Sequence, residues 1–330
     1  MGHATELSRH AAAPHRSTFT SQRQRPPTVN TDANILSTGD HWCELTFDGR
    51  VRSYLVHVPD GAPTNDHRWP LVLAFHGSGT NAAMMSEFSQ LNGKADREGF
   101  VVVYPNGTGR TPAARSFHAG NCCGYAKQQR VDDIGFIASL LDRLEQQLRI
   151  APGQVFATGM SNGAVMCYEL ASHLADRVSA IAPVAGPMGS ATCTPSQPVS
   201  VCHFHGTVDA YAPFEGGRGR RSISKTNFFS VPHSIEQWVH ANGCVAEPTT
   251  ESLPCPVSDG TQVRCERYTA GRQNTEVVLY TIEGGGHTWP GAPSSLRILG
   301  KTTANLNAND VMWDFFERHA RPSDAVSVTP

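Results

Sequence analysis

Short apolar runs alternate with amphipathic segments along most of this chain of 330 residues. Leu71–Phe75 and Phe100–Tyr104 are continuous apolar runs, as expected of strands buried on both faces of a sheet. Between Val131 and Leu148, apolar residues recur at helical spacing and predict a helix. The same patterns predict strands at 154–158, 178–184, 199–204 and 276–282, and helices at 83–97, 164–170, 234–241 and 309–319. Strands that alternate with helices favour an α/β fold with a mostly parallel, doubly wound sheet.

An antiparallel hairpin is predicted before the first buried strand. The runs Cys43–Phe47 and Arg50–Pro59 are separated by Asp48-Gly49. An Asp-Gly step between two alternating runs is typical of a hairpin turn. We therefore expect an N-terminal antiparallel hairpin attached to the parallel sheet.

The two ends of the chain differ from its middle. Residues 1–40 are rich in His, Arg, Ser, Thr and Pro and contain few large apolar side chains. Such a segment cannot bury enough surface to fold, so we expect a disordered tail without an evident signal peptide. The expected organisation is a tail over 1–40, one catalytic domain over 41–320 and a C-terminal tail over 321–330. Three loop-rich insertions within the domain, 108–130, 187–198 and 211–232, are expected at the strand ends where ligands bind.

Composition and charge exclude several classes of function. The net charge is −2 at pH 7, no long basic run occurs, and no apolar run is long enough to span a bilayer. We expect no nucleic-acid partner, no membrane span, no cofactor and no metal, and a monomeric protein.

Nine cysteines are many for a reducing cytosol and favour some disulfides in an exported protein, secreted or periplasmic, although no signal peptide is evident. Adjacent cysteines rarely bond each other, so Cys122 and Cys123 are expected to pair with a distant cysteine. The odd number leaves at least one thiol free, and Cys167 is the best candidate because it lies on the predicted helix after the elbow and would pack as a small apolar residue.

The segment Gly159-Met-Ser-Asn-Gly163 follows a predicted strand and opens a predicted helix. That context is what a G-x-S-x-G nucleophile elbow requires, with glycines that let the backbone turn sharply and an exposed serine hydroxyl. Ser161 is therefore the candidate nucleophile, and a serine that merely turns the chain is the alternative.

Two residues that follow in the chain supply the candidate acid and base. Asp209 comes directly after the strand 199–204, and His287 lies in Gly284-Gly-Gly-His287 after the strand 276–282. The order Ser161, Asp209, His287 is that of the α/β-hydrolase fold. His287 would take the proton of Ser161 and pass it to the leaving alcohol, and Asp209 would hold the imidazole tautomer.

An oxyanion hole requires two further donors. The backbone amide of Asn162, after the nucleophile, is one candidate. The loop after an early strand, Phe75-His-Gly-Ser-Gly-Thr80, offers the amide of Ser78 as the second, with Gly77 next. His76 and Trp289 are expected to line the substrate pocket, although a strand-end turn at His76 and a packing role for Trp289 are equally compatible with the pattern.

These motifs together resemble the exported esterases known as polyhydroxybutyrate depolymerases, which overlap with feruloyl esterases of the carbohydrate-esterase type. The resemblance runs from about Thr46 to His319, and it rests on Arg52-Ser-Tyr-Leu-Val-His-Val-Pro59, His76-Gly77, Gly120-Asn-Cys-Cys-Gly124, Val131-Asp-Asp-Ile-Gly-Phe136, the 159–163 elbow, His205-Gly-Thr-Val-Asp209 and Gly284-Gly-Gly-His-Thr-Trp-Pro-Gly291. It implies an α/β-hydrolase fold with Ser161, Asp209 and His287 as nucleophile, acid and base. The Asn-Gly pair after the serine and the lack of a binding domain after residue 320 depart from dedicated polymer depolymerases and disfavour an insoluble polyester.

The expected function is a serine carboxylic ester hydrolase that acts on hydroxycinnamoyl (feruloyl) or hydroxyalkanoate (polyhydroxybutyrate-type) esters, small or polymeric. The alternatives are an acyltransferase on the same scaffold, an acetyl xylan esterase, a peptidase and a non-catalytic binding module. Complete presence of the three candidate residues argues against the last.

Overall fold

The computed structural model describes residues 36–61, 68–222, 224–292 and 297–322. The strands are β1 (Gly39–Phe47), β2 (Arg50–Val58), β3 (Trp69–Phe75), β4 (Val101–Pro105), β5 (Thr108–Thr111), β6 (Ala114–Ser116), β7 (Ile150–Met160), β8 (Ala180–Val184), β9 (Ser200–Gly206), β10 (Thr249–Ser252), β11 (Gln262–Tyr268) and β12 (Val277–Glu283). The helices are α1 (Ala82–Ser89), α2 (Leu91–Glu98), α3 (Gly124–Gln128), α4 (Asp133–Gln147), α5 (Asn162–His173), α6 (Val231–Asn242) and α7 (Ala308–Arg318), with short 3₁₀ turns at Arg272–Asn274 and Arg297–Leu299.

One large sheet contains ten strands in the order β1-β2-β4-β3-β7-β8-β9-β12-β11-β10. The central strands from β4 to β12 run parallel, whereas β2 and β1 at one edge, and β11 and β10 at the other, are antiparallel. This is the α/β-hydrolase fold expected from the alternation of strands and helices. The hairpin β1–β2 turns at Asp48 and Gly49, both of which have positive φ, as the sequence predicted.

Alternate residues of the central strands feed two separate hydrophobic clusters, one on each face of the sheet. In β3, Leu71, Leu73 and Phe75 pack on one face, and Val72 and Ala74 pack on the other. Helices α4, α5 and α6 cover the first face, and α1, α2 and α7 cover the second. The continuous apolar runs in the sequence are thus explained by burial on both faces.

The structure corrects the sequence prediction in three places. The helix expected over 83–97 is two helices, because Gln90 adopts a left-handed conformation (φ 56°) that ends α1. The strands β10 and β11 and the hairpin β5–β6 with helix α3 were missed, the last two within the segment expected to be a loop. Finally, Leu36 is buried and β1 begins at Gly39, so the folded part starts before residue 41. Most of the expected tails, residues 1–35 and 323–330, lie outside the described residues.

Within the described ranges, no helix is long and apolar enough to cross a lipid bilayer.

Candidate active site

Ser161 lies at a strained turn between β7 and α5. Its φ of 58° and ψ of −117° fall outside the regions that L-residues usually adopt. The Ser161 amide donates to the carbonyl oxygen of Val184, the last residue of β8, at 2.9 Å. The turn is thereby fixed at the carboxyl edge of the sheet, which is the geometry of a nucleophile elbow.

The two glycines of the elbow motif permit close packing rather than the turn itself. A Cβ on Gly163 would lie 2.1 Å from the carbonyl oxygen of Phe75, and one on Gly159 would lie 2.6 Å from the carbonyl group of Gly163. Neither glycine has a positive φ, whereas Ser161 does. The expectation that the glycines supply the sharp turn was therefore wrong, since they instead let α5 approach β3 and β7.

Asp209 and His287 are joined by a hydrogen bond of 2.7 Å between Oδ2 and Nδ1. Oδ1 of the same carboxylate accepts the backbone amides of Tyr211 at 2.7 Å and Ala212 at 2.9 Å. Burial alone would raise the pKa of Asp209, but the adjacent rings of His287 and His205 outweigh burial and hold this pKa below the usual aspartate range. Asp209 is thus an acceptor, so Nδ1 of His287 carries the hydrogen. In the neutral ring, Nε2 is then left as a proton acceptor.

A buried chain of hydrogen bonds runs from Tyr168 to the Ala212 carbonyl oxygen and passes beside the same carboxylate. It links Tyr168 Oη to His203 Nδ1 at 2.9 Å, His203 Nε2 to His205 Nδ1 at 3.0 Å, and His205 Nε2 to the Ala212 carbonyl oxygen at 2.8 Å. The Ala212 carbonyl can only accept, so Nε2 of His205 is the donor to it. If both rings are neutral, Nδ1 of His205 then accepts from Nε2 of His203, and Nδ1 of His203 accepts from the Tyr168 hydroxyl. His205 Nε2 also lies 3.5 Å from Oδ2 of Asp209, so a donor faces the carboxylate.

The glycine-rich loop after β12 holds His287 in place. The amide of His287 donates to the carbonyl oxygen of Leu299 at 2.7 Å, and that of Gly286 donates to Lys301 at 2.9 Å. A Cβ on Gly286 would lie 2.2 Å from the Leu299 oxygen, so only glycine permits this pairing. The ring of Tyr211 stacks on that of His287 with centroids 4.9 Å apart. Sequence reasoning did not single out Tyr211, although it lies two residues after the candidate acid.

The residues expected to supply the oxyanion donors lie on segments that adjoin Ser161. Asn162 is the first residue of α5, and the first amides of a helix have no intrahelical acceptor. Its side chain is occupied by the amide and carbonyl of Phe117, at 2.7 and 3.0 Å. The loop that carries Ser78 runs past Ser161, since a Cβ on Gly77 would lie 3.6 Å from that of Ser161.

A cavity of about 290 Å³ opens above this site, and Ser161, His287 and Ser78 all line it. Its wall is mainly apolar and comes mostly from the loop after β3, from α1, from the end of β7 and from the loops after β9 and β12. The apolar side chains in this wall are Met84, Met85, Phe88, Met160, Phe228 and Leu299, and hydroxyl groups come from Thr80, Tyr211, Ser222 and Ser224. The insertions 108–130 and 211–232 contribute to the wall as expected, whereas 187–198 does not.

His76 and Trp289 do not line this cavity, contrary to the sequence expectation. His76 is buried, its Nδ1 donates to the Gly77 carbonyl at 2.8 Å, and its Nε2 accepts the Gly107 amide at 3.0 Å. Burial lowers the pKa of His76 to about 4, so the ring is neutral and structural. Trp289 is buried behind Phe88, and its indole N–H donates to Asn309 at 2.9 Å.

The cysteines also differ from expectation. The side chains of Cys122 and Cys123 lie against each other, and neither contacts a distant cysteine among the described residues. The other seven cysteines are free thiols, and Cys167 is among them as predicted. Cys123 borders the cavity above Ser161.

Comparison with known proteins identifies the family. Residues 52–196 match the family model described as esterase PHB depolymerase. The chain is also 30% identical over 285 residues to NocK of Nocardia uniformis subsp. tsuyamanensis, whose name marks it as a candidate esterase, and the match covers 82% of this chain and 81% of that protein. This chain belongs to the esterase PHB depolymerase family. It is a carboxylic ester hydrolase.

Other relatives show the range of names within the family. Feruloyl esterase B of Piromyces equi is 27% identical over 72% of this chain and 42% of its own length. Poly(3-hydroxyalkanoate) depolymerase C of Paucimonas lemoignei is 26% identical over 72% of this chain and 59% of its own length. Among solved structures, an acetyl xylan esterase from Aspergillus awamori shares the fold, with a TM-score of 0.53, 15% identity, and coverage of 81% of this chain and 94% of that chain.

Proposed function

We propose that this esterase acts through a catalytic triad of Ser161, His287 and Asp209 and a covalent acyl-enzyme. The observation that carries the proposal is the 2.7 Å bond from His287 to Asp209 at the wall of a cavity that Ser161 also lines. The bond leaves Nε2 of His287 free to accept a proton, which is what a serine nucleophile requires of its base.

In the proposed reaction, Ser161 Oγ attacks the ester carbonyl carbon while His287 Nε2 takes the hydroxyl proton. The oxyanion of the tetrahedral intermediate is held by the backbone amides of Asn162 and Ser78. The carbon–oxygen bond to the alcohol breaks as His287 returns the proton to that oxygen. Water then repeats the sequence on the acyl-enzyme and releases the carboxylic acid.

The cavity favours an acyl group larger than acetyl. Its apolar wall, with Phe88, Phe228 and the methionines of α1, would pack against an aromatic ring, and an acetyl group would leave most of the 290 Å³ unfilled. The hydroxyls of Ser222 and Ser224 are suited to the polar substituents of such a ring. A hydroxycinnamoyl ester is therefore the first proposed substrate class, and a short hydroxyalkanoate ester is the second.

A substrate panel and one variant test the proposal. Methyl ferulate, short p-nitrophenyl esters, acetylated xylan and a polyhydroxybutyrate film are compared, and methyl ferulate is expected to have the highest kcat/KM. Ser161→Ala is expected to fold normally and to lose ester turnover by orders of magnitude, because triad members act as a unit. Near-normal turnover in this variant would remove Ser161 from the mechanism, and a preference for acetylated xylan would overturn the acyl assignment.

We also propose that the protein is exported. The nine cysteines of the chain are many for a reducing cytosol and support an oxidising compartment. Fractionation of producing cells into cytosol, periplasm and medium tests this, with recovery in the cytosol alone as the contrary result.

A further inference from the structure

A second cavity, of about 210 Å³, lies at the base of the hairpin β5–β6 and shares no lining residue with the cavity above Ser161. Its wall is formed by residues at the start of β2, by Gly107 and by residues of the hairpin. Among the residues that the structure describes, no acidic side chain lines it, and four arginines do: Arg50, Arg52, Arg110 and Arg115. A cavity with this lining carries a strong positive potential.

Arg52 is buried in this wall with an incomplete set of partners. Its side chain is 3% exposed, and only Nη2 is engaged, with Asp133 Oδ1 at 2.5 Å and the Asn106 carbonyl oxygen at 3.0 Å. Nε and Nη1 have no hydrogen-bond partner among the described residues, although the guanidinium lies 3.9 Å above the ring of Phe136. Thr108 also lines the cavity, and its hydroxyl likewise has no hydrogen-bond partner among the described residues. A buried hydrogen-bond donor without an acceptor costs free energy, so these unpaired donors favour a bound ligand that can accept from them.

The charges in this region do not balance. Asp133 is the carboxylate that pairs with Arg52, and its second oxygen already accepts the amide of His118 at 2.7 Å. Arg115 has its pKa lowered by burial and by the nearby charge of Arg52. Its side chain donates to the carbonyl oxygens of Pro112 and Gly107, neither of which carries a charge. Within the described part of the chain, no carboxylate in the cavity wall balances the positive charges of Arg50, Arg110 and Arg115.

We propose that this cavity binds an oxyanion, held by the arginines and the hydroxyl of Thr108. Planar guanidinium groups bind phosphate, sulfate and carboxylate oxygens through paired hydrogen bonds, and the cavity is large enough for any of these. The oxyanion is either a free inorganic anion or the acidic group of a saccharide such as a uronate.

The bound anion would act on the hairpin that supports the loop beside Ser161. The backbone carbonyl of Arg115 accepts a hydrogen bond from the Gly79 amide at 2.8 Å, and the backbone amide of Arg115 donates to the Thr80 carbonyl at 3.0 Å. A bound anion would therefore stabilise the hairpin and the segment next to Ser78 that it contacts, and it would make the protein more resistant to unfolding.

Calorimetric titration of the full chain with sodium phosphate, sodium sulfate and sodium glucuronate, at constant ionic strength in chloride, tests the proposal. At least one of these anions is expected to bind and to raise the thermal midpoint by about 2 °C or more, which chloride does not do. Arg50→Gln and Arg110→Gln, at side chains that reach solvent, are each expected to weaken that binding by roughly two- to fivefold.

Arg97→Gln removes one charge from the exposed face of α2 and serves as the matched control, with unchanged binding expected. Binding of glucuronate but not of phosphate or sulfate would support the site and assign it to an organic acid. Failure of all three anions, or equal weakening by Arg97→Gln, would overturn the proposal. Neither result bears on the catalytic triad, because ester turnover is not the readout.

Discussion

Replacement of Asp209 by asparagine isolates the contribution of the carboxylate to the proposed mechanism. The side chain keeps its shape, and its oxygen still accepts the backbone amides of Tyr211 and Ala212, which bond Oδ1 in the wild type. The amide nitrogen, however, takes the place of Oδ2 and donates towards Nδ1 of His287. His287 is then driven into the tautomer with hydrogen on Nε2, which cannot accept the proton of Ser161.

The size of the effect follows from the loss of that one tautomer. The corresponding change in a serine protease lowers kcat by about 10⁴-fold, and at 1.36 kcal/mol per factor of ten this is about 5 kcal/mol of transition-state stabilisation. The corresponding contact between Asp209 and His287 exists here, at 2.7 Å, so we expect a loss of about 10³- to 10⁴-fold in kcat. The affinity for substrate is expected to change little, because the apolar cavity wall is untouched.

Hydrolysis of p-nitrophenyl butyrate at pH 8 measures this loss, with Asp132→Asn as the control. Asp132 caps α4 by accepting the Gly135 amide at 2.8 Å, and asparagine caps equally well, so this variant is expected to keep wild-type activity. A kcat for Asp209→Asn within tenfold of wild type, in a protein that unfolds normally, would refute the assignment of Asp209.

Asp209 also predicts a pH dependence of stability. Its pKa in the folded protein lies below the value of about 3.9 in the unfolded chain, so the carboxylate stabilises the fold above that pH, and the contribution is lost as the pH falls below it. In urea unfolding, the stability difference between wild type and Asp209→Asn is expected to narrow below about pH 4. A difference that stays constant down to pH 2.5 would contradict this account.

Three further predictions concern the supporting structure. Gly163→Ala is expected to lower the free energy of unfolding by at least about 2 kcal/mol, because its Cβ would lie 2.1 Å from a carbonyl oxygen of β3. The control Gly93→Ala, in α2, should instead raise the free energy of unfolding by about 0.5 kcal/mol. Equal effects of the two variants in urea unfolding would contradict this prediction. The pKa of His76 is about 4 in the folded protein and about 6.5 in the unfolded chain. Between pH 7 and pH 4, the free energy of unfolding of wild type should therefore fall by about 3 kcal/mol more than that of His76→Gln. Parallel curves of stability against pH for the two proteins would disprove this prediction. His205→Leu removes the donor beside the Asp209 carboxylate and should lower kcat by roughly ten- to a hundredfold, while His205→Gln should restore most of it. No rescue by glutamine would indicate a packing role alone.

The sheet and the triad candidates could be predicted because each has a local signal. The apolar runs of β3 and β4 report burial on both faces, and residues that end parallel strands meet at one edge of the sheet. Asp209 follows β9 and His287 follows β12, which are neighbours, and the structure brings their side chains within 2.7 Å. Chain order and strand position were therefore sufficient to predict that Asp209 and His287 lie together.

The elements that were missed lack such a signal or owe their form to tertiary contacts. Strand β10 is exposed along its whole length and polar, so it has no apolar alternation to detect. Strand β11 does alternate, with Val263 and Cys265 buried, and this pattern could have revealed it. The cavity wall combines Met84 and Phe88 with residues far along the chain, and neither side chain is distinguished in the sequence from an ordinary helical residue.

The roles expected for His76 and Trp289 failed for a related reason. A histidine or tryptophan beside a catalytic motif has the same sequence pattern whether it faces the substrate or the core. His76 faces the core because its ring accepts the Gly107 amide, and Trp289 does so because its indole donates to Asn309. Each partner lies at least twenty residues away along the chain.

Covalent labelling of the nucleophile tests the central claim most directly. The protein is incubated with a fluorophosphonate ester, digested, and its peptides are sequenced by mass spectrometry. The account predicts one phosphonyl adduct, on Ser161, that abolishes ester hydrolysis in proportion to its formation and is absent from Asp209→Asn at short times. Full ester turnover after complete labelling, or an inactivating adduct on any other residue, would contradict it.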